Sequence, residues 1–308
     1  MMLFVYDFES NLLLAERSII RSRWVVYYND VGTFEAHLPV TSELSRIVSE
    51  NPYLVVKQHG ISAVVVGYEL SDELVIYGRT CNWLLSKRIT PEISKSSVFA
   101  GEKTAEMVRD AFSDVGNFEV ANVVSGGETE FEAEEGTTLL AVCRCLEKSG
   151  LGHEITFNEK DNKWEFNILS GKENEIILSE AHKNASNTGI SFDLLDYASC
   201  GRYEKETTDG TNTVKIVKDA EKTGIYRWEA KLSGNSAEEA QKELEDLNQR
   251  YQLSMDADGI SWKKDYNLGD VLRLQVIKGS FKKNEKRKVM GVEILVEQGI
   301  YKETPILK

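Results

Sequence analysis

The sequence predicts an α+β fold that is mainly β, with two small antiparallel β-barrel-like domains and an α+β domain between them. Three observations lead to this prediction. Short runs of Val, Ile, Tyr and Phe alternate with turn residues near both ends of the chain, and apolar residues at helical spacing occur between them. A third helical pattern interrupts the later strands. We assign residues 1–98 to the first barrel, 99–185 to the α+β domain and 186–308 to the second barrel, with an inserted helix at 236–250.

The composition is close to the average for globular proteins and excludes several classes. The chain has 308 residues, of which 41% are hydrophobic and 28% are charged, so disordered and low-complexity classes are excluded. This length predicts about two or three domains. The longest apolar run, Ile61–Tyr68, is much shorter than the roughly 18 residues that a membrane-spanning helix requires. Because Asp7 and Glu9 interrupt the first apolar stretch, we expect no secretory signal and synthesis in the cytoplasm.

Seven strands are predicted in the first domain from short runs of β-branched and aromatic residues. They are Leu3–Phe8, Leu12–Glu16, Ser22–Asn29, Thr33–Pro39, Tyr53–Gln58, Ala63–Leu70 and Glu73–Tyr77. Turn signals separate them, and such close, regular spacing is typical of a small antiparallel barrel. The aromatic residues Trp24, Tyr28, Phe34 and Tyr53 are then expected in the core or wall of the barrel.

The middle domain is predicted from two amphipathic helices and a hairpin. Apolar residues recur at helical spacing up to Val115, and we expect that helix to end at Gly116. The second helix is expected to start at Thr137 or Thr138, either of which can cap it, and to end at Gly150. The predicted strands of this domain are Phe118–Val124, His153–Asn158 and Lys163–Leu169.

The last domain combines strands with one capped helix. Ser236 and Glu239 form a capping box, and the apolar residues that follow continue at helical spacing as far as Tyr251. The predicted strands are Ser191–Ala198, Asn212–Lys218, Ile225–Leu232, Gly259–Trp262, Val271–Lys278 and Val289–Glu297. We interpret the basic run from Lys282 to Lys288 as a solvated loop between two strands.

The usual signatures of metal and cofactor sites are missing. The cysteines are Cys81, Cys143, Cys145 and Cys200, which suit a reducing compartment, and the single Cys-x-Cys pair lacks the second ligand pair of a zinc site. The segment Asp256–Gly259 begins like a calcium loop but lacks the closing glutamate. No phosphate-binding glycine loop occurs. The sequence therefore predicts neither a metal nor a cofactor.

Catalytic signatures are missing as well. The histidines are His37, His59, His153 and His182; they are scattered, and we interpret each as a surface or turn residue. No nucleophile motif is present. With 50 Asp and Glu residues, a chance pair at glycosidase spacing is expected, so a hydrolase that uses two carboxylates stays open as a less favoured alternative. The leading prediction is a protein without catalytic residues.

Two stretches resemble the hub proteins of bacteriophage tails, in particular the minor tail proteins of long-tailed siphophages. The first runs from Tyr77 to Ile89 and continues into the first helix of the middle domain. The second comprises Gly224–Glu229, the capped helix and Trp262–Asp270. It includes the late turn Tyr266–Val271, in which Gly269 permits a tight turn, Asp270 binds the turn backbone and Val271 starts a strand. The order of barrel, α+β insertion and second barrel is also similar over nearly the whole chain.

The resemblance implies a structural role at the tip of a virion tail. Hub proteins of this family form homotrimeric rings that join a tail tube to a tip, so the expected partners are a distal tail or tube protein, a tape-measure protein and tip or receptor-binding proteins. The formal charge is −13 per chain, or 3 × −13 = −39 for three copies. Acidic groups lining such a ring would repel the DNA backbone and let DNA pass without specific binding.

Alternative functions remain at this stage. The same architecture serves the hub of a contractile tail, a tailocin or a related injection machine, and the sequence does not distinguish these from a siphophage tail. A carbohydrate-binding module is a further alternative if Trp164 and Trp228 are exposed, although aromatic residues at such positions usually lie in a core.

Overall fold

The computed structural model describes residues 2–205, 213–218, 222–233, 236–248, 251–297 and 299–308. Within these ranges it contains 21 strands and four α-helices, which confirms the predicted class, α+β and mainly β. Residue 212 of one predicted strand and residues 249–250 of the predicted inserted helix lie outside the described ranges.

The first part of the chain forms seven strands and one short helix. The elements are β1 (Leu3–Asp7), β2 (Leu12–Glu16), β3 (Arg21–Tyr27), β4 (Thr33–Pro39), α1 (Leu44–Glu50), β5 (Leu54–Gln58), β6 (Ile61–Leu70) and β7 (Glu73–Thr80). All seven predicted strands are present, but α1 was not predicted. Trp24, Tyr28 and Phe34 are buried, whereas Tyr53 is 64% exposed, so its predicted place in the core is wrong.

The middle part contains four α-helical or 3-10 segments and two small sheets. The elements are a 3-10 helix (Cys81–Lys87), β8 (Ile93–Phe99), α2 (Ala100–Ala111), β9 (Phe118–Asn122), β10 (Glu128–Ala133), α3 (Leu139–Arg144), a second 3-10 helix (Cys145–Ser149), β11 (Leu151–Asn158) and β12 (Lys163–Ser170). Thr138 caps α3 by accepting a hydrogen bond from the N–H of Ala141, and Gly150 ends the following 3-10 helix with φ of +72°.

The predicted end of the first middle-domain helix is wrong. Helix α2 ends at Ala111, five positions before Gly116, and Phe112 already leaves the helical conformation with φ of −110°. Phe112 stacks on Phe118 with ring centroids 4.2 Å apart. The apolar pattern continues past the helix because these residues face the same core without being helical.

The last part differs most from the prediction. Its elements are β13 (Glu173–Leu178), a 3-10 helix (Glu180–His182), β14 (Ala185–Phe192), β15 (Cys200–Lys205), β16 (Thr213–Lys218), a 3-10 helix (Gly224–Tyr226), β17 (Glu229–Lys231), α4 (Ala237–Asn248), β18 (Tyr251–Ala257), β19 (Val271–Lys278), β20 (Phe281–Glu297) and β21 (Ile300–Leu307). Strands β16 and β19 and the last half of β20 follow the predicted strands closely.

Five interpretations of this part are wrong. The predicted strand 191–198 ends at Phe192, and the 225–232 run contains a 3-10 turn and a three-residue strand. Gly259–Trp262 is not a strand, whereas Tyr251, which we placed on the helix, begins β18. The basic run from Lys282 to Lys288 lies within β20 and is not a loop. Pairing with β19 across the hairpin outweighs the low strand propensity of these lysines.

A single sheet of 11 strands joins the two ends of the chain. Its strands follow the order β13-β19-β20-β3-β4-β7-β6-β5-β1-β2, and β21 also pairs with β20. Strand β20 is 17 residues long, and its first half pairs with β19 while its second half pairs with β3. The division into two separate barrels that the sequence predicts does not take this pairing of β20 with β3 into account. One hydrophobic core, which includes Trp24, Phe34 and Ile294, lies beneath this sheet, and a second core lies between α2, α3 and the β11–β12 hairpin.

Candidate functional site

The late turn of the chain meets strand β3 through a close backbone approach. Gly269 has φ of +85°, and its N–H donates to the carbonyl of Val289 at 2.8 Å. A Cβ atom at this position would lie 2.3 Å from Cε2 of Tyr28. Gly171 lies equally close, since a Cβ there would meet the carbonyl oxygen of Gly269 at 1.8 Å. The turn therefore requires glycine both for its conformation and for its space.

Asp270 holds the same turn together from a buried position. It is 2% exposed, and its carboxylate accepts three hydrogen bonds. The donors are the N–H of Lys172 at 3.0 Å, the N–H of Asn267 at 3.0 Å and the side-chain amide of Asn174 at 3.2 Å. The N–H of Val289 donates to the backbone carbonyl of Asp270 at 2.8 Å. One carboxylate thus links the turn, the start of β13 and, through its own backbone, β20.

Tyr28 connects this turn to the middle domain. Its hydroxyl lies 2.8 Å from the carbonyl oxygen of Gly150 and 3.0 Å from that of Leu169. Burial raises the pKa of Tyr28 to about 12, so the phenol is a neutral donor. The ammonium of Lys288 lies 4.3 Å from the centroid of the Tyr28 ring and donates to the same Gly150 carbonyl at 3.1 Å. Tyr28 is therefore held by three segments that are distant from it in sequence, at Gly150, Leu169 and Lys288.

A buried polar network joins the first and middle parts beside Tyr28. His153 Nδ1 lies 2.7 Å from Oδ1 of Asn29, and the Asn29 amide donates to the carbonyl of Arg144 at 2.9 Å. Because Oδ1 must then accept, Nδ1 of His153 carries the proton. Asn82 accepts from the N–H of Ile155 at 2.6 Å and donates to the carbonyl of His153 at 3.2 Å. These bonds hold the β11–β12 hairpin in one orientation against the 3-10 helix at Cys81–Lys87.

Protonation of His153 is expected to destabilise this joint. Burial lowers the pKa of His153 from 6.5 to about 4, and its Nε2 atom has no hydrogen-bond partner. Between these two values the unfolded chain binds more protons than the folded chain, so stability should fall as the pH falls from about 6.5 to 4, by up to ~3 kcal/mol. Urea unfolding measured across this window tests the prediction. His153→Gln should show a shallower pH dependence, and equal slopes for the two proteins would contradict it.

The cysteines and the calcium-like segment considered in the sequence analysis do not form a common site in the described part of the chain. Cys81 and Cys143 are fully buried, and burial raises the pKa of both thiols. Among the described residues, no group of three or more His, Cys, Asp or Glu side chains is placed to hold a metal ion. In the calcium-like segment, Asp256 accepts from the amide of Asn187 at 2.8 Å and Asp258 from the hydroxyl of Ser186, as part of the β14–β18 pair.

Two of the four histidine interpretations are wrong. His153 is fully buried, and His37 is 8% exposed, with Nδ1 at 2.9 Å from Glu73 and Nε2 at 2.8 Å from Glu35. His59 does lie in a turn, with φ of +54°. The burial of His153 could have been read from its position in β11, since it lies on the same face as the apolar residues Leu151, Ile155 and Phe157.

The two tryptophans proposed as sugar platforms differ in exposure. Trp164 is 4% exposed and belongs to the second core. Trp228 is 42% exposed, packs edge-on against Tyr197 and donates its Nε1–H to the carbonyl of Ile225 at 3.0 Å. The sequence reasoning missed Tyr28, Asn29 and Asn82 as the residues that join the domains.

No helix in the part of the chain that the structure describes combines the length and the apolar composition needed to cross a bilayer.

Comparison with solved structures finds three tail proteins that align over the full chain. The tail protein from Neisseria meningitidis is 14% identical, with a TM-score of 0.58 and coverage of 100% of this chain and 96% of that chain. The 43 kDa tail protein of prophage MuSo2 from Shewanella oneidensis is 11% identical, with a TM-score of 0.61 and coverage of 100% and 98%. The prophage tail protein gp18 from Listeria monocytogenes is 13% identical, with a TM-score of 0.60 and coverage of 100% and 94%.

Comparisons of the sequence itself find less. No protein-family model matches the chain, and a search of curated proteins finds no significant match. The structural similarity is therefore distant in sequence but extends from end to end. This chain has the fold of phage and prophage tail proteins.

Proposed function

We propose that the chain is a structural subunit of a phage or prophage tail tip, a baseplate or tail hub protein. The observation that carries this proposal is the end-to-end agreement with three tail proteins, whose own lengths are covered to 94–98%. A protein that shared only one domain with them would have left much of either chain unaligned. The buried joint around Tyr28 and Asp270 supports the same role, because a ring subunit needs domains held at a fixed angle.

The proposed assembly is a homotrimeric ring between the tail tube and the tip. Its partners are a distal tail or tube protein, a tape-measure protein and tip or receptor-binding proteins. The summed formal charge of three copies, 3 × −13 = −39, supports a channel that does not retain DNA, since like charges repel the phosphate backbone. The subunit is made in the bacterial cytoplasm and ends in the virion tail.

Mass measurement by light scattering tests this assembly. The expected particle has three times the 34.7 kDa of one chain, or 104.1 kDa, and a central opening in negative-stain images. The measurement is made on the chain alone and with the tube protein of the same virion. A chain that stays monomeric at every concentration, alone and with the tube protein, would refute the ring.

The proposed role is structural and not catalytic. The buried His153 bonds to the amide oxygen of Asn29 and not to a nucleophile. The same preparation incubated with purified peptidoglycan should therefore release no soluble fragments. Release would favour the carboxylate hydrolase alternative.

A further inference from the structure

A groove on the last hairpin carries positive charge in an acidic protein. It lies across β13, β19 and β20, has a volume of about 370 Å³, and is lined by Ile177, Arg273, Gln275, Asn284 and Lys286 among others. Arg273 and Lys286 face each other across the β19–β20 pair. Their side chains are 52% and 57% exposed, so both remain accessible to a ligand.

The two cations of this groove share a single carboxylate. Arg273 Nη2 lies 2.9 Å from Oε1 of Glu173, and Lys286 Nζ lies 2.6 Å from the same oxygen. Glu285 also lines the groove, but its carboxylate is paired with Arg287 at 2.9 Å. Arg273, Lys286 and Glu173 therefore leave one net positive charge, and most of the guanidinium donors have no partner in these two ion pairs. The amides of Gln275 and Asn284 bond to each other at 3.0 Å along the groove floor. A carboxylate from another molecule could accept hydrogen bonds from the free guanidinium donors of Arg273, because the planar guanidinium group binds carboxylates in a bidentate manner.

A rigid acidic turn elsewhere on the chain has the matching chemistry. Glu134 and Glu135 are exposed and precede Gly136, which has φ of +83°. The N–H of Thr137 donates to the carbonyl of Glu134 at 3.1 Å, and the N–H of Gly136 donates to the carbonyl of Thr90 at 3.1 Å. Among the described residues, neither glutamate carboxylate has a hydrogen bond or an ion pair. The turn therefore presents two solvated carboxylates on a backbone that is held in place, so binding has to order only the two side chains.

We propose that the acidic turn at Glu134 and Glu135 of one copy binds the basic groove at Arg273 and Lys286 of the next copy. The turn belongs to the middle domain and the groove to the last hairpin, so the contact is head-to-tail. Such a contact forms a ring when the rotation between neighbouring copies closes, as the proposed trimer requires, whereas a two-fold contact would stop at a dimer. This inference rests on the proposed ring and names the surfaces that hold it together.

Charge reversal tests the contact. The double variant Glu134→Lys/Glu135→Lys should raise the concentration at which the assembly dissociates by roughly tenfold or more, since the turn then repels the groove. The matched control is Glu245→Lys/Asp246→Lys, two adjacent acids exposed on α4, which should leave assembly unchanged. Combining the turn variant with Arg273→Glu/Lys286→Glu should restore assembly. Light scattering at increasing salt should show dissociation of the wild type, because the pairing is partly exposed and screened.

The outcomes separate this inference from the proposed function. A wild-type chain that never assembles contradicts the ring and with it this contact. A wild-type trimer whose turn variant assembles equally well contradicts the contact alone. If Arg273→Glu/Lys286→Glu leaves assembly intact but abolishes retention of DNA fragments, the groove binds phosphate and the inference is wrong. Thermal unfolding of the turn variant controls for folding, and its two side chains make no bond that the substitutions would remove.

Discussion

Asp270→Ala is expected to lower the free energy of unfolding by about 2 to 4 kcal/mol, because it leaves three partly buried donors without this acceptor at ~0.5 to 1.5 kcal/mol each, and Asn174 keeps a second acceptor in the carbonyl of Asp265. Those donors are the N–H groups of Lys172 and Asn267 and the side-chain amide of Asn174. Water has little access, since Asp270 is 2% exposed. Chemical denaturation by urea, with the unchanged slope taken as a sign of two-state behaviour, measures the loss.

A matched turn aspartate provides the control. Asp7 also accepts two hydrogen bonds at 2.8 Å, from the N–H and the side-chain amide of Asn11, but both bonds are exposed. Asp7→Ala should therefore cost less than ~1 kcal/mol, as solvent replaces the lost acceptor. Similar losses for the two variants would contradict the structural role that we assign to Asp270.

Gly269→Val should destabilise the chain by about 2 to 6 kcal/mol through two separate effects. A β-branched residue is strained at φ of +85°, which costs ~1 to 3 kcal/mol, and the added atoms meet the ring of Tyr28, which adds ~1 to 3 kcal/mol of overpacking. The Tyr28 ring cannot move away freely because its hydroxyl is held at Gly150. Urea unfolding measures the total, and the yield of trimer should fall with it.

Gly279→Val separates the two effects. Gly279 has φ of +60°, but nothing lies within 4 Å of a Cβ placed there. This control should show only the backbone strain, so its loss should be smaller than that of Gly269→Val by the overpacking contribution. Equal losses would mean that the Tyr28 contact is not restrictive, and an undiminished trimer yield for Gly269→Val would refute the importance of this turn for assembly.

The sequence pattern predicted correctly those elements that are determined by neighbouring residues. The strand at Thr33–Pro39 and the strand at Val271–Lys278 are found with the predicted bounds because alternation and flanking turns specify them together. The cap at Thr138 and the left-handed end at Gly150 were also readable, since each depends on one residue type. The resemblance to tail hub proteins rested on such short motifs and on element order.

Features that depend on distant partners were not predictable in the same way. The basic residues at Lys282–Lys288 have low strand propensity, and only pairing with β19 makes them a strand. Likewise Tyr28 could be placed in a core by its aromatic character, but its hydrogen bonds to Gly150 and Leu169 join positions 122 and 141 residues away. The sequence alone therefore does not show that these residues connect the two domains; their contacts are visible only in the folded structure.

The pairing of β20 with β3 also determines when this chain can fold. Arg23 and Glu293 form an ion pair across these strands at a separation of 270 residues, so the ribosome must make nearly the whole chain before the pair can form. Until then, β3 presents an open edge on one side while its apolar residues wait for the core beneath the sheet. Such non-local pairing slows folding, because the entropy of closing a long loop is lost before the stabilising contacts form. A growing chain of this kind therefore carries unpaired strand edges and exposed apolar residues, which favour aggregation, for most of its synthesis.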